Sequence, residues 1–283
     1  MSHAVAAALP RTAAPYLVIG LGAIVALYGP IFPALVYEWA TFPSLSHGFT
    51  IPLIAAYLVW TRRDALAGVG GHPTWSGLPI VVVGLLLYVI GTVGSEPFVS
   101  RMSFPLTLGG GVLLLGGPAL ARHMWPGVAY LFFMMPLPYL MVNALTRQAI
   151  VLDAWATAGT LPWLGVPVLR QGTRLYLANI TLEVADACSS IPAIASLAAL
   201  GVAYGVVRRR SAGMTMVLLA AAVPLGMLSN LSRIIGTAAG AYYLGPIAVH
   251  NLIHTWHGTF VFLLTFVALA VLDAALHRIR RPQ

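Results

Sequence analysis

Eight stretches of this chain, roughly 15–37, 48–61, 77–94, 102–120, 124–142, 188–207, 214–236 and 256–276, are apolar almost without interruption. A helix needs about 20 mostly apolar residues to cross a bilayer, so each stretch reads as a membrane span, the second a short one. The fourth and fifth are parted only by a few residues around Arg122-His123. Charged residues make up only 8% of the 283, against about 25% in a soluble domain, so lipid has to be the solvent for most of the surface. The fold class expected is an all-α polytopic membrane protein of about eight helices. The first apolar run is too long for a signal-peptide core and no small-residue cleavage site follows it, so it reads as a retained span.

All 15 basic residues are arginine, and the net charge is +8. The clusters Arg62-Arg63, Arg208-Arg209-Arg210 and Arg278-Ile279-Arg280-Arg281 each follow an apolar run. Nucleic-acid grooves interleave aromatics with spread basic residues, so no nucleic-acid partner is expected and the arginines read as topology signals. With both termini inside, the inner loops carry ten arginines (11, 62, 63, 122, 208–210, 278, 280, 281) against Asp64 and Asp273, ten minus two. The outer side carries Arg101, Arg147, Arg170, Arg174 and Arg233 against Glu38, Glu96, Asp153, Glu183 and Asp186, which cancel. The whole net charge then falls inside, as the positive-inside rule asks.

Residues 143–187 are the longest segment without a spanning run. The first part has helical spacing and reads as a helix in the interface plane. The second alternates apolar and polar residues around Gln171-Gly172 and reads as a small hairpin. Together they form an outward-facing cap on a single domain of residues 1–283, with no internal repeat or low-complexity linker.

This topology brings three reactive side-chain types to one depth on the outer side. Cys188, the only cysteine, begins the sixth span. Arg233 lies near the outer end of the seventh, one turn after Asn230. His250, His254 and His257 share a helical face at the outer start of the eighth. An arginine in an apolar helix is costly without a partner or a wet cavity, which marks a functional site. A thiolate is a nucleophile, an imidazole moves its proton, and a guanidinium suits an acyl oxyanion. Acyl transfer or proteolysis through a thioester is the chemistry these groups share. Read singly, the cysteine is a small buried hydrophobe, the arginine a snorkelling cation and the histidines interfacial caps.

Other catalytic devices are missing from the sequence. Without lysine there is no Ser–Lys dyad. No H-E-x-x-H, no paired aspartyl-protease motif and no G-x-S-x-G elbow occurs. A zinc site from His250, His254, His257 and Asp186 is a weaker alternative; no metal and no cofactor is expected.

Several motifs resemble those of the exosortase/archaeosortase family. They are D-A-C-S-S at 186–190 before an apolar span, N-L-S-R at 230–233, and H-T-W-H-G-T-F-V-F at 254–262. S-H-G-F at 46–49, Y-L-V-W at 57–60, M-P-L-P at 135–138 and L-G-V-P-V at 164–168 add to them. The resemblance covers nearly the whole chain and implies a membrane cysteine protease or transpeptidase. Its substrates would be exported proteins with a C-terminal sorting signal: a Pro-Glu-Pro-like motif, a transmembrane helix and a basic tail. By the resemblance Cys188 is the nucleophile, Arg233 stabilises the oxyanion, and His254, four residues before Gly258, is the acid–base group. Asn230, Asp186, Glu183, His257 and His47 are supporting or substrate-binding candidates. The implied location is the bacterial inner membrane, with the site facing the periplasm and the acceptor either water or a surface acceptor such as an exopolysaccharide. Where many relatives read C-S-G-x-R, this chain has Ser190 and Pro192. A proline so early in a helix is tolerated, because the first N–H groups have no intrahelical acceptor. The alternative reading is a non-catalytic membrane scaffold or export component that uses the same groove for binding.

Overall fold

A computed structural model of the chain describes residues 14–67, 69, 72–185, 188–245 and 251–279, without the side chains of a few of these, residues 251–255 among them. The described residues form helices and one small sheet with the connections between them. It divides into two compact units, one up to Pro138 and one from Tyr139 on.

The first unit contains α1 (Ala14–Leu27), α2 (Ile31–Thr41), α3 (Thr50–Trp60), α4 (Leu78–Val93) and α5 (Pro97–Tyr130), with a five-residue helical turn at Arg63–Ala67. A 62° bend separates α1 from α2. A 3-10 turn, Pro43–Phe49, leads into α3. The long α5 is two helices. Gly117 (φ 79°, ψ 176°) breaks it, and a Cβ placed on Gly109 would stand 3.3 Å from Val128 Cγ1. Residues nineteen apart in a straight helix would be about 28 Å apart, so the chain doubles back between them. Gly117 adopts a backbone that a side chain would strain, and Pro118 has no N–H to continue the first helix. Within the unit, Arg101 and Glu38 form a two-pronged ion pair (2.8 and 2.7 Å).

The second unit contains α6 (Tyr139–Thr160), the strands β1 (Val168–Gln171), β2 (Arg174–Leu177) and β3 (Thr181–Glu183), then α7 (Ile191–Val207), α8 (Ala212–Leu244) and α9 (Asn251–Ile279). The strands pair antiparallel in the order β1-β2-β3. Gln171 stands opposite Arg174, and Gly172 supplies the positive φ of 62° that the tight turn needs. Leu175 and Leu177 of β2 are buried with Ile150 and Ala154 of α6 and Ile234 and Ala238 of α8. The sheet therefore lies on these two helices. α7 and α8 meet glycine to side chain or backbone: Gly205 against Thr215, Gly201 against Leu218, Gly226 against Ile194. Close approach at small residues is how helices pack where no water drives them together.

Among the described residues four helices are long and apolar enough to cross a membrane, or five if the bent pair α1–α2 is one span. Eight spans are more than this count supports. The segment at 48–61 and α7 are shorter apolar helices. The fourth apolar run with the first part of the fifth falls in the one 38-residue stretch Pro97–Met134 that doubles back, while the end of the fifth runs into α6. The break comes at Gly117-Pro118 rather than at Arg122-His123, because the Gly-Pro pair, not the charges, interrupts the backbone.

Candidate active site

Three residues before α7 begins, Cys188 stands in a short connection after β3, its thiol free and partly buried against the apolar core of the unit. Its N–H donates to the Ala185 carbonyl (2.8 Å), and its own carbonyl accepts from Asn230 Nδ2 (2.7 Å). Asn230 is 3% exposed on α8. Its Oδ1 accepts from Arg233 Nη2 (3.0 Å), one turn on. A single amide thus ties the backbone that carries the thiol to the guanidinium.

The second partner of that amide is Asp153, on α6. Its Oδ2 accepts from Asn230 Nδ2 (2.9 Å) and from the Ser190 N–H (3.0 Å). Asp153 is 3% exposed. Burial pushes its carboxyl above the ordinary carboxylate range, although Asn230, Ser190 and the charge of Arg233 pull the other way. Ser189, beside the cysteine, is buried with its hydroxyl unpartnered.

From the other side, α9 closes on α8 through two glycines. A Cβ on Gly258 would lie 3.0 Å from Arg233 Cδ, and one on Gly236 would lie 2.5 Å from His257 Cε1. The arginine stem therefore runs across Gly258, and the His257 ring covers Gly236. His254 lies one turn before Gly258 on α9, hence on the same helical face; its side chain is outside the described residues, as are Asp186 and His250.

The structure brings together Cys188, Asn230 and Arg233 by hydrogen bonds and His257 by packing at the same α8–α9 seam. Glu183 is elsewhere in its contacts: at the end of β3 its carboxylate meets Arg174 of β2 at 3.3 Å, both side chains more than half exposed. His47 belongs to the first unit, half-buried in the 3-10 turn Pro43–Phe49. Among the described residues no group of three or more His, Cys, Asp or Glu could hold a metal ion.

Asp153 is the residue the sequence reading passed over, counting it only among the outer-side charges. The signal was present in the spacing. Thr146, Ile150, Asp153, Ala154 and Thr157 form one buried stripe of α6, and an acid on an otherwise inward-facing stripe has to find donors.

The transmembrane exosortase family matches residues 39–271, well over half of the chain. The chain belongs to that family. Comparison with curated proteins and with solved structures returned no match. Membership makes this a membrane protein of the exosortase sorting type, and the matched range takes in Asp153, Cys188, Asn230, Arg233, His254 and Gly258.

Proposed function

We propose that this exosortase is a membrane-embedded cysteine protease or transpeptidase that cuts the C-terminal sorting signal of exported proteins. The signal would comprise a Pro-Glu-Pro-like motif, a transmembrane helix and a basic tail. The enzyme would sit in the bacterial inner membrane with both termini cytoplasmic and the site facing the periplasm. The observation that supports this best is the Cys188 carbonyl–Asn230–Arg233 chain of hydrogen bonds, which keeps a nucleophile's backbone in register with an oxyanion-binding cation.

In the reaction, the Cys188 thiolate attacks the carbonyl carbon of the scissile peptide. A C–S bond forms and the carbonyl π pair moves to oxygen, where Arg233 stabilises the charge. Collapse breaks the C–N bond, and the amine leaves with the proton that His254 took from the thiol. Water or an acceptor amine then attacks the thioester, gives its proton to His254, and expels the thiolate.

The test is co-expression with a tagged exported protein from the same genome that ends in such a signal. Wild type is compared with Cys188→Ala and Cys188→Ser at equal expression, and the substrate's size and membrane attachment are read on a blot. Wild type shortens the substrate and both variants leave it intact. Normal processing by both variants would make Cys188 structural and leave the binding-scaffold reading in its place.

A further inference from the structure

Three contacts fix which way the Asn230 amide points, and one of them is a carboxylate oxygen. Asn230 has two donor hydrogens on Nδ2 and one acceptor oxygen. On its Nδ2 side stand two acceptors, Asp153 Oδ2 (2.9 Å) and the Cys188 carbonyl (2.7 Å). On its Oδ1 side stands a donor, Arg233 Nη2 (3.0 Å). Turning the amide over would set oxygen against two oxygens and NH2 against a guanidinium, losing three hydrogen bonds together in a buried place. Asp153 Oδ2 also holds the Ser190 N–H (3.0 Å), at the first turn of α7 and two residues from the thiol. The acid therefore has one hand on the α8 amide and the other on the backbone after Cys188.

We propose that Asp153 is a positioning residue of the exosortase site: as a double acceptor it sets the Asn230 amide, and through that amide it keeps the Cys188 backbone and the Arg233 guanidinium in register. This rests on the reading of Cys188 and Arg233 as the reacting pair. The role belongs to an acceptor oxygen rather than to charge, so an asparagine at 153 can fill it by turning its own oxygen to the two donors, whereas alanine cannot.

The sole cysteine supplies a readout that needs no substrate, since iodoacetamide uptake by the purified full chain reports Cys188 alone. The set is wild type, Asp153→Asn, Asp153→Ala, Asn230→Ala and the Asp153→Ala/Asn230→Ala double, each with its Tm measured. Should Asp153→Ala not fold, Asp153→Leu, nearer in volume and equally without an acceptor, takes its place. Alkylation rate changes in Asp153→Ala and in Asn230→Ala, the double changes no more than either single, and Asp153→Asn stays near wild type. In the processing assay Asp153→Ala lowers kcat on the order of 10- to 100-fold with KM little changed, and Asp153→Asn recovers most of it. Additive effects of the two alanines on alkylation would show that Asp153 acts on its own and overturn the proposal; so would a wild-type alkylation rate in Asp153→Ala. Equal substrate processing by wild type and Cys188→Ala would instead overturn the protease reading, and the alkylation cycle would still decide the role of Asp153.

Discussion

At Asp153 desolvation and hydrogen bonding act against each other, and desolvation is the larger, so the carboxyl holds its proton to higher pH than in the unfolded chain. The sign of the linkage follows. A raised folded value means the native state binds more protons than the unfolded one between the two pKa values, so stability falls as pH rises across that window. The contribution is whole below about pH 4, the ordinary carboxylate value, and lost as pH passes the folded one. The groups facing the carboxyl are Asn230 and Arg233 from α8 and Ser190 at the start of α7; none of these titrates in that range. Asp153→Asn removes the proton equilibrium and keeps the shape. Thermal unfolding of both proteins from about pH 4 to pH 8 is expected to show the difference in Tm moving in favour of the asparagine variant as pH rises. Two curves that stay parallel would mean that Asp153 titrates as in the unfolded chain. The same residue shows where sequence reading stops. Cys188 and Arg233 stood out in the sequence because a thiol and a guanidinium each lie at the edge of an apolar run, with Asn230 one turn before the arginine. Asp153 was hidden because an acid in an amphipathic helix reads as solvated until its neighbours are known.

The elements were legible in proportion to how local their causes are. Alternation around Gln171-Gly172 marked the β1–β2 hairpin, whose turn is fixed by one glycine. The third strand was not marked, because its partner β2 is chosen by pairing rather than by its own three residues. The Gly-Pro break in α5 was in plain view at 117–118, but the neighbouring charges drew the boundary a few residues away. At the helix seams, two glycines of α8 separate stability from chemistry. A Cβ at Gly226 would meet Ile194 Cα and N at 2.8 and 2.9 Å. Backbone cannot swing aside, so Gly226→Ala forces α7 from α8 at a cost of about 1–3 kcal/mol, read as a lower Tm. Processing falls with it, since Ser190 lies one turn before Ile194 and Asn230 one turn after Gly226. At Gly236 the obstacle is the His257 ring, the movable end of a side chain. Gly236→Ala displaces that ring with little loss of Tm. With His254 as the acid–base group, processing by Gly236→Ala stays within about threefold of wild type, a difference of ~0.7 kcal/mol in the barrier. A loss as deep as that of Cys188→Ala, at unchanged Tm, would transfer the role to His257.

For the whole molecule the proposed sidedness rests on the arginines, and it makes predictions of its own. Four spans or five by length give opposite parities, so counting helices does not orient the chain. The proposal that both termini lie inside rests instead on the arginine clusters Arg62-Arg63, Arg208-Arg209-Arg210 and Arg278-Ile279-Arg280-Arg281, each of which follows an apolar run. A buried contact agrees with where this puts the inner ends. Arg210, in the turn between α7 and α8, donates to Asp273 Oδ2 at 2.6 Å, with Tyr204 on the same oxygen at 3.2 Å. The last of the three clustered arginines is thereby taken up by the C-terminal part of α9, while Arg208 and the positive-φ Arg209 are exposed. In the proposed orientation this clip lies at the cytoplasmic face and the β1–β2 turn at Gly172 lies outside. A green fluorescent protein fused after Gln283 should fluoresce, and alkaline phosphatase inserted at Gly172, an exposed turn, should be active. Substituting Arg208 and Arg209 with glutamine leaves the clip intact and removes two inside charges, so it should weaken the fluorescence rather than the Tm. Phosphatase activity at the C-terminus together with silence at Gly172 would invert the molecule, and the site would then face the cytoplasm, against the proposed cleavage of exported proteins on the outer side.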